Sequence, residues 1–317
     1  MQSKKNPCIV VAGPTAAGKT GISVKLAHLL NGSVISADSM QVYKGMDIGS
    51  AKITEEEKEG VTHYLIDELD PKEEFHVVRF QQMAKQAMAE IYSQGKIPII
   101  AGGTGFYIQA LIKDVDFTET GHVSSLREKY QRIAEEKGAQ ALYELLCQKD
   151  SEAARQIHPN NIKRVIRALE FAEETGMEIS KHNLEQSAKE SPYKYAYFVV
   201  TDDRKALYDR INKRVDKMME DGLLEEVTRL YKSGLEEDDV SMKGIGYREF
   251  FPYFRKEISL DECVEKIKLD TRHFAKRQIT WFKREKDAIW FDRRDYGNDN
   301  IKIAGAMAEK WKEIWNE

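Results

Sequence analysis

The first hundred residues alternate short apolar runs with segments whose apolar residues recur at helical spacing. Cys8 to Ala12 is an unbroken apolar run, as expected of a strand buried on both faces. Gly21 to Leu30 follows with Ile22, Val24, Leu26, Ala27, Leu29 and Leu30, the make-up of a mostly buried helix. Ser33 to Ala37 predicts a second strand, Val61 to Ile66 a third and Ile97 to Ala101 a fourth. Before the fourth, Phe75 to Tyr92 carries Val78, Met83, Ala87 and Ile91 among the apolar positions of an amphipathic helix. Strands alternating with helices predict a parallel sheet covered on both faces. From about Val115 the pattern changes. Ser124 to Phe171 has helical periodicity without convincing strands, and this character continues toward Glu185. Tyr193 to Thr201 returns to β-branched and aromatic residues, and the chain from Asp203 onward reads as mostly helical.

Between the first strand and the first helix the chain reads Gly13-Pro14-Thr15-Ala16-Ala17-Gly18-Lys19-Thr20. Glycines there let the backbone turn with its N–H groups pointing inward, and the positive end of the helix dipole adds to them. Lys19 supplies a mobile cation, and the Thr20 hydroxyl suits a Mg²⁺ that bridges phosphate oxygens. The loop indicates a polyphosphate and leaves the reaction open. With it, the expected architecture is α/β: a P-loop NTPase-like parallel sheet core with helices on both faces and a helical insertion domain. Residues 1–115 and 193–317 form the core, with a helical C-terminal part, and residues 116–192 form the insertion. Ligands of such sheets bind beyond the carboxyl ends of the strands. The loop, Asp38-Ser39 and Gly102 to Thr104 all follow strand ends and therefore share one crevice.

Composition narrows the class. Hydrophobic residues at 41% and charged ones at 32% fit a soluble chain able to bury a full core. No apolar run reaches membrane-spanning length. The basic N-terminus runs into the first strand without a signal-peptide pattern, and Cys8, Cys147 and Cys263 are scattered. A cytoplasmic protein with neither a disulfide framework nor a zinc site is expected. The net charge of −4 argues against a nucleic-acid partner, but it hides a local exception. Arg272, Lys276, Arg277, Lys283, Arg284 and Lys286 stand against one acid, Glu285, with Phe274, Trp281 and Phe282 interleaved. Because remote charges are screened within about 8–10 Å, such a surface attracts a phosphate backbone whatever the total.

Several side chains could carry chemistry. Asp38 suits a proton acceptor or a metal ligand, or else it caps the next turn. Arg210 and Arg214 lie four apart on a helical segment whose buried face is Leu207, Ile211, Val215 and Met218. Aimed at the crevice, one of them could neutralise a polyphosphate leaving group; aimed outward, they are a solvated face. Lys163, Arg164 and Arg167 present the same choice, with Ile162, Ile166 and Leu169 inward. Lys276 and Arg277 with the adjacent aromatics suit phosphate contacts and stacking on unpaired bases, or form an ordinary amphipathic helix. Thr104 is a crevice donor or a turn residue.

An ordered set of motifs adds to this reading. The phosphate loop is followed by Ser36-Ala-Asp-Ser-Met-Gln-Val-Tyr-Lys-Gly-Met-Asp-Ile-Gly-Ser-Ala-Lys52 and Gly102-Gly-Thr-Gly-Phe-Tyr107. Then come Asn161-Ile-Lys-Arg-Val-Ile-Arg-Ala-Leu-Glu170, Met218-x-x-x-Gly-Leu-x-x-Glu-Val227, Gly244-Ile-Gly-Tyr-Arg-Glu249 and Lys276-Arg-Gln-x-Thr-Trp-Phe282. Together, almost end to end, they resemble the bacterial tRNA dimethylallyltransferases. The resemblance implies transfer of a dimethylallyl group from dimethylallyl diphosphate to N6 of the adenosine 3′ of the anticodon (tRNA position 37), with release of diphosphate. It implies that Gly13, Pro14, Thr15, Ala16, Ala17, Gly18, Lys19 and Thr20 hold the prenyl diphosphate rather than ATP, with Mg²⁺ at Thr20. It makes Asp38 the general base, with Thr15 and Arg214 stabilising the diphosphate. Asp38, Ser39, Met40, Gln41, Thr104, Lys163, Arg164, Val165, Ile166, Arg167, Gly246, Tyr247 and Arg248 would contact the tRNA anticodon stem-loop. Arg127, Lys276 and Arg277 join them, and a monomer is expected. Ala17 stands where relatives often have Ser, and no C-terminal Cys/His zinc module follows, which favours the bacterial type. The competing readings are a small-molecule phosphate-loop kinase, an adenylate prenyltransferase acting on free nucleotide, and a non-catalytic RNA-binding protein.

Overall fold

The computed structural model describes residues 5–117 and 124–316. In chain order the first half of the core contains β1 (Asn6–Ala12), α1 (Lys19–Leu30), β2 (Gly32–Ala37), α2 (Glu55–Lys58), β3 (His63–Tyr64), α3 (Val77–Ser93), β4 (Ile97–Gly102) and α4 (Gly105–Ile112). Helices α5 (Ser124–Lys149), α6 (Ser151–Gln156), α7 (Ile162–Thr175) and α8 (Ile179–Ala188) follow. The core resumes with β5 (Tyr193–Thr201), α9 (Arg204–Glu220), α10 (Leu223–Lys232), α11 (Phe250–Phe254), α12 (Leu260–Phe282), β6 (Ala288–Asp292) and α13 (Asn300–Asn316). Two compact units result, Met1–Ile112 with Pro192–Glu317, and Lys113–Ser191.

The first unit is built on one six-stranded sheet in the order β3-β2-β4-β1-β5-β6, and every pair of neighbours is parallel. Successive side chains of a strand point to opposite faces, and β1 supplies both. Ile9 and Val11 pack with Ile22 and Leu26 of α1 and Ile303, Met307 and Trp311 of α13. Cys8, Val10 and Ala12 pack on the other face with Phe80 of α3, Ile108 of α4, Val227 of α10 and Phe282 of α12. Each such fully buried aliphatic or aromatic side chain contributes about 1.5–3 kcal/mol of transfer free energy, which fixes the sheet as a rigid base for the loops at its carboxyl edge.

Two strands differ from the hydrophobic pattern. The third is only His63–Tyr64, because Leu65 and Asp67 take positive φ (62° and 56°) and end the extended run that Val61 to Ile66 predicts. The sixth, β6, is an edge strand parallel to β5. Its five residues follow a charged turn and leave Trp290 38% exposed, so no clear alternation marks it.

In the second unit Tyr130, Leu142, Leu146, Val165, Ile166 and Leu169 form an aliphatic-rich core of their own. Helix α5 breaks at Gly138, whose φ of 82° lies in the left-handed region. The Asp150 carboxylate joins α6 to α8 by accepting from the Ala153 N–H, the Ser180 N–H and the Ser180 hydroxyl. Among the described residues no helix is long and apolar enough to cross a membrane.

Candidate active site

The loop after β1 is held open by its own backbone and braced from outside. Gly13 has φ of 148°, and a Cβ there would stand 2.4 Å from the Val200 carbonyl oxygen, so only glycine fits. Ala16 is left-handed at φ 61°, a strained state for a residue with a Cβ. Its carbonyl oxygen accepts from Arg210 Nε at 3.0 Å, and the next carbonyl, of Ala17, accepts from Arg293 Nη1 at 3.2 Å. Asp202, just past β5, ion-pairs with Arg210 Nη1 at 2.7 Å, and its side chain is 2% exposed. With these carbonyls turned outward onto arginines, the opposite side of the loop is left for an anion. Gly18, the N-cap of α1, has no side chain with which to cap the first-turn donors. Lys19 folds back over the loop, its Nζ donating to the Pro14 carbonyl at 2.8 Å.

Asp38 follows β2 at the same edge. Its Oδ1 accepts from the Met40 N–H at 2.8 Å, the turn-capping bond expected of an Asp at a strand end. This does not use up the carboxylate. Desolvation raises its pKa above the ordinary Asp value, against the Met40 N–H, the Lys19 ammonium, the Gln41 N–H and the Arg214 guanidinium. Lys19 is lowered to about 8 by desolvation and by Arg214, with Asp38 acting the other way. Desolvation likewise lowers Arg214, opposed by Glu57, while Arg210 lowers it further and Asp38 raises it. Asp38, Lys19 and Arg214 are thus one electrostatic cluster. Of the two arginines on α9, Arg210 is committed to Asp202 and Ala16, whereas Arg214 belongs to the cluster.

The loop after β4 meets the end of β2. The Thr104 N–H donates to the Ala37 carbonyl at 3.2 Å, which sets Thr104 beside the start of the Asp38 turn. A Cβ on Gly102 would stand 2.3 Å from that same Ala37 oxygen, so the two strand ends touch.

The segment from Ser39 to Lys52 is tied down by three side chains. The amide of Gln41 bonds the Ser36 hydroxyl at 3.0 Å and the Ala51 carbonyl at 3.2 Å. Lys52, with 5% of its side chain exposed, bridges Asp47 Oδ1 at 2.6 Å and the Tyr43 carbonyl at 2.7 Å. Glu226 of α10 is 6% exposed and accepts the N–H groups of Asp47, Ile48 and Gly49 together with the Tyr247 hydroxyl. Sequence reasoning missed Glu226, Asp202 and Arg293 as site supports. An acid inside the buried stripe Leu223, Glu226, Val227, Leu230 was the available signal, since a lone carboxylate there needs several donors.

The residues assigned to tRNA divide by exposure. Lys163, Arg164 and Arg167 are accessible on α7. Val165 and Ile166, 0% and 3% exposed, lie in the core of the second unit, so the three cations are the exposed residues of that stripe. Gly246 and Tyr247 are set inward as well: the Tyr247 ring is 0% exposed beneath Gly49 and bonded to Glu226, so it supports the loop rather than touching a partner. Arg248 is accessible and paired with Glu249 at 2.7 Å and Asp270 at 3.4 Å. Arg127 forms a two-pronged contact with the Glu170 carboxylate. Met40 packs against Gly244, and Ser39 is partly exposed. Lys276 and Arg277 line an open cavity of about 420 Å³ on α12 with His273, Thr280, Trp281 and Arg284. No cluster of three His, Cys, Asp or Glu side chains suited to a metal exists among the described residues.

A parallel sheet with a glycine-rich loop after β1 and a carboxylate just past the end of β2 defines an α/β protein of the phosphate-loop type. Residues 41–285 match the family model described as IPP transferase, and the chain belongs to that family. It is 57% identical to a tRNA dimethylallyltransferase of Lachnoclostridium phytofermentans over 92% of this chain and 94% of that one. It is 47% identical to the Bacillus subtilis tRNA dimethylallyltransferase, covering 92% of each. The crystal structure of the Bacillus halodurans tRNA isopentenylpyrophosphate transferase is similar, with a TM-score of 0.73, 42% identity and 98% of both chains covered. A eukaryotic dimethylallyltransferase acting on tRNA gives a TM-score of 0.79 at 32% identity, over 90% of this chain and 74% of that one.

Proposed function

We propose that this chain transfers the dimethylallyl group of dimethylallyl diphosphate to N6 of the adenosine next to the tRNA anticodon, releasing diphosphate. The observation that carries the residue assignments is the placement of residues 13–20 after β1 and Asp38 after β2, on either side of β4, with Lys19 and Arg214 acting on the Asp38 carboxylate. The N6 lone pair forms a bond to C1 of the allyl group as the C1–O bond breaks, and its electron pair leaves on the diphosphate. The N6 proton passes to the Asp38 carboxylate. An exocyclic amine conjugated with the adenine ring is a poor nucleophile, so a base with a raised pKa helps bond formation. Lys19, Arg214 and Thr15 stabilise the negative charge gathering on the departing diphosphate. Thr20, exposed at the start of α1, fits a Mg²⁺ that arrives with the diphosphate, since this ion takes few protein ligands and keeps phosphate oxygens and water. Bound there, the metal would neutralise part of the leaving group's charge. A folded anticodon loop stacks its bases, so the adenosine is turned out to reach Asp38. Lys163, Arg164, Arg167, Lys276 and Arg277 act on the RNA backbone. Replacing any one of them by alanine should flatten the salt dependence of tRNA binding by about one unit of slope.

The test uses labelled dimethylallyl diphosphate, Mg²⁺ and unmodified tRNA with wild type and Asp38→Ala. The expected result is label on the anticodon-loop adenosine, reduced about 10²–10⁴-fold in the variant while diphosphate still binds. Phosphoryl transfer from ATP, or prenylation of free AMP in place of tRNA, would overturn the reading.

A further inference from the structure

Helix α12 has cations on its open side and one polar side chain in its buried set of Cys263, Ile267, Ala275, Gln278 and Phe282. Gln278 is 6% exposed. Its Oε1 accepts from the Thr15 N–H at 2.8 Å, and its Nε2 donates to the Gly103 carbonyl at 3.0 Å. A single amide thereby joins the phosphate loop after β1 to the loop after β4. The fit is close: a Cβ on Gly103 would stand 2.1 Å from Nε2.

We propose that Gln278 is a positioning residue of the prenyl-diphosphate site, fixing the Thr15 side of the phosphate loop against the β4 loop so that the leaving group is held in line with the amine. The proposal rests on reading residues 13–20 as the diphosphate site. Only a group with an acceptor and a donor on one planar head meets both partners. A carboxylate accepts from Thr15 but repels the Gly103 oxygen, and a thioether meets neither. A Thr15 N–H or Gly103 C=O without its partner turns elsewhere, and the Thr15 hydroxyl moves with it. A displacement of about 1 Å at such a site costs on the order of 10²-fold in rate.

The test compares Gln278→Glu, Gln278→Met and Gly103→Ala with wild type, measuring prenyl transfer to tRNA and, separately, binding of inorganic pyrophosphate. A loss of roughly 10–100-fold in kcat is expected for all three, with pyrophosphate affinity changed only a few-fold. The distinguishing readout is pH. In Gln278→Glu the protonated carboxyl both donates and accepts, as the amide does. Its defect relative to wild type should therefore shrink about tenfold as pH falls from about 8.5 to about 6, because burial raises a carboxyl pKa into that range. Gln278→Met, with nothing to titrate, should show a defect independent of pH. Full kcat in Gln278→Met, or a Gln278→Glu defect that is flat with pH, would make Gln278 a packing residue and overturn the proposal. Failure of wild type to bind pyrophosphate would instead remove the diphosphate reading itself, and the proposal with it.

Discussion

Two carboxylates, one in each unit, are held in opposite senses. Asp38 sits where desolvation raises its pKa, despite two cations and two backbone N–H groups that pull the other way. Glu173, on α7, accepts from Lys129, Tyr130 and Lys149, and these bonds bring it down to about 2. The sheet unit keeps Asp38 in an environment unfavourable to its charge, and it pins the neighbouring loops with buried polar side chains from distant elements: Gln278, Asp202 and Glu226. The helical unit has an aliphatic-rich core, with Asp150 as its buried polar tie, and places its ion pairs at the surface. The contrast follows from what each region presents. A loop site needs its irregular backbone pinned group by group, whereas cations on a regular helix such as α7 are placed by the helix itself.

Reactive group and support should come apart most clearly on α9, where two arginines one turn apart have different work. Arg214→Ala removes a cation from the Asp38 cluster and should lower kcat for prenyl transfer by about 10²–10³-fold with the melting temperature nearly unchanged. Arg210→Ala strips the Ala16 carbonyl of its donor and leaves the buried Asp202 with Arg293, at 3.9 Å, as its ion-pair partner, so it should lower the melting temperature and reduce kcat less. Steady-state kinetics and thermal melts on both variants check this. Equal kcat losses with equal melting would mean that the two residues share one role.

Next in size is Glu226→Ala. It leaves three backbone N–H groups and the buried Tyr247 hydroxyl without their acceptor, and about 2–4 kcal/mol of stability should go. Urea denaturation measures it directly. Because the affected backbone is the segment after Asp38, KM for tRNA should rise while pyrophosphate binding holds.

These residues also mark how far the sequence could be read. The phosphate loop, the strand ends at Asp38 and Gly102, and β5 at Tyr193–Thr201 were legible because each is local: a glycine spacing or an apolar run of the right length. β6 was not, since a five-residue edge strand has too few inward positions to show alternation. Gln278 and Glu226 could be seen as polar residues on apolar stripes, but the backbone groups they bond lie 175 and 263 residues away for Gln278 and 177–179 for Glu226, and no period in the chain encodes such a pairing. Val165, Ile166, Gly246 and Tyr247 show the converse: a motif resemblance does not tell a buried support from an exposed position, and these four are buried.

A subtler effect bears directly on the two carboxylates. Asp38 has a folded pKa above its unfolded value, so its ionised form weakens the fold. That penalty is absent below about pH 3.8, sets in between the unfolded and folded pKa values, and is full above the folded one. Asp38→Asn should therefore melt higher than wild type at pH 7 while losing activity, and the gap should close toward acid pH. Glu173 runs the other way. Its stabilisation is present above 4.5 and is lost as pH falls through about 2. Its side chain is 30% exposed, so solvent screening reduces the worth of its ion pairs and Glu173→Gln should cost about 1 kcal/mol at pH 7. By about pH 3 part of that difference should be gone. Urea midpoints for both variants at neutral and acid pH suffice, and two gaps of the same sign would mean that Asp38 is held in place as a structural carboxylate, as Glu173 is.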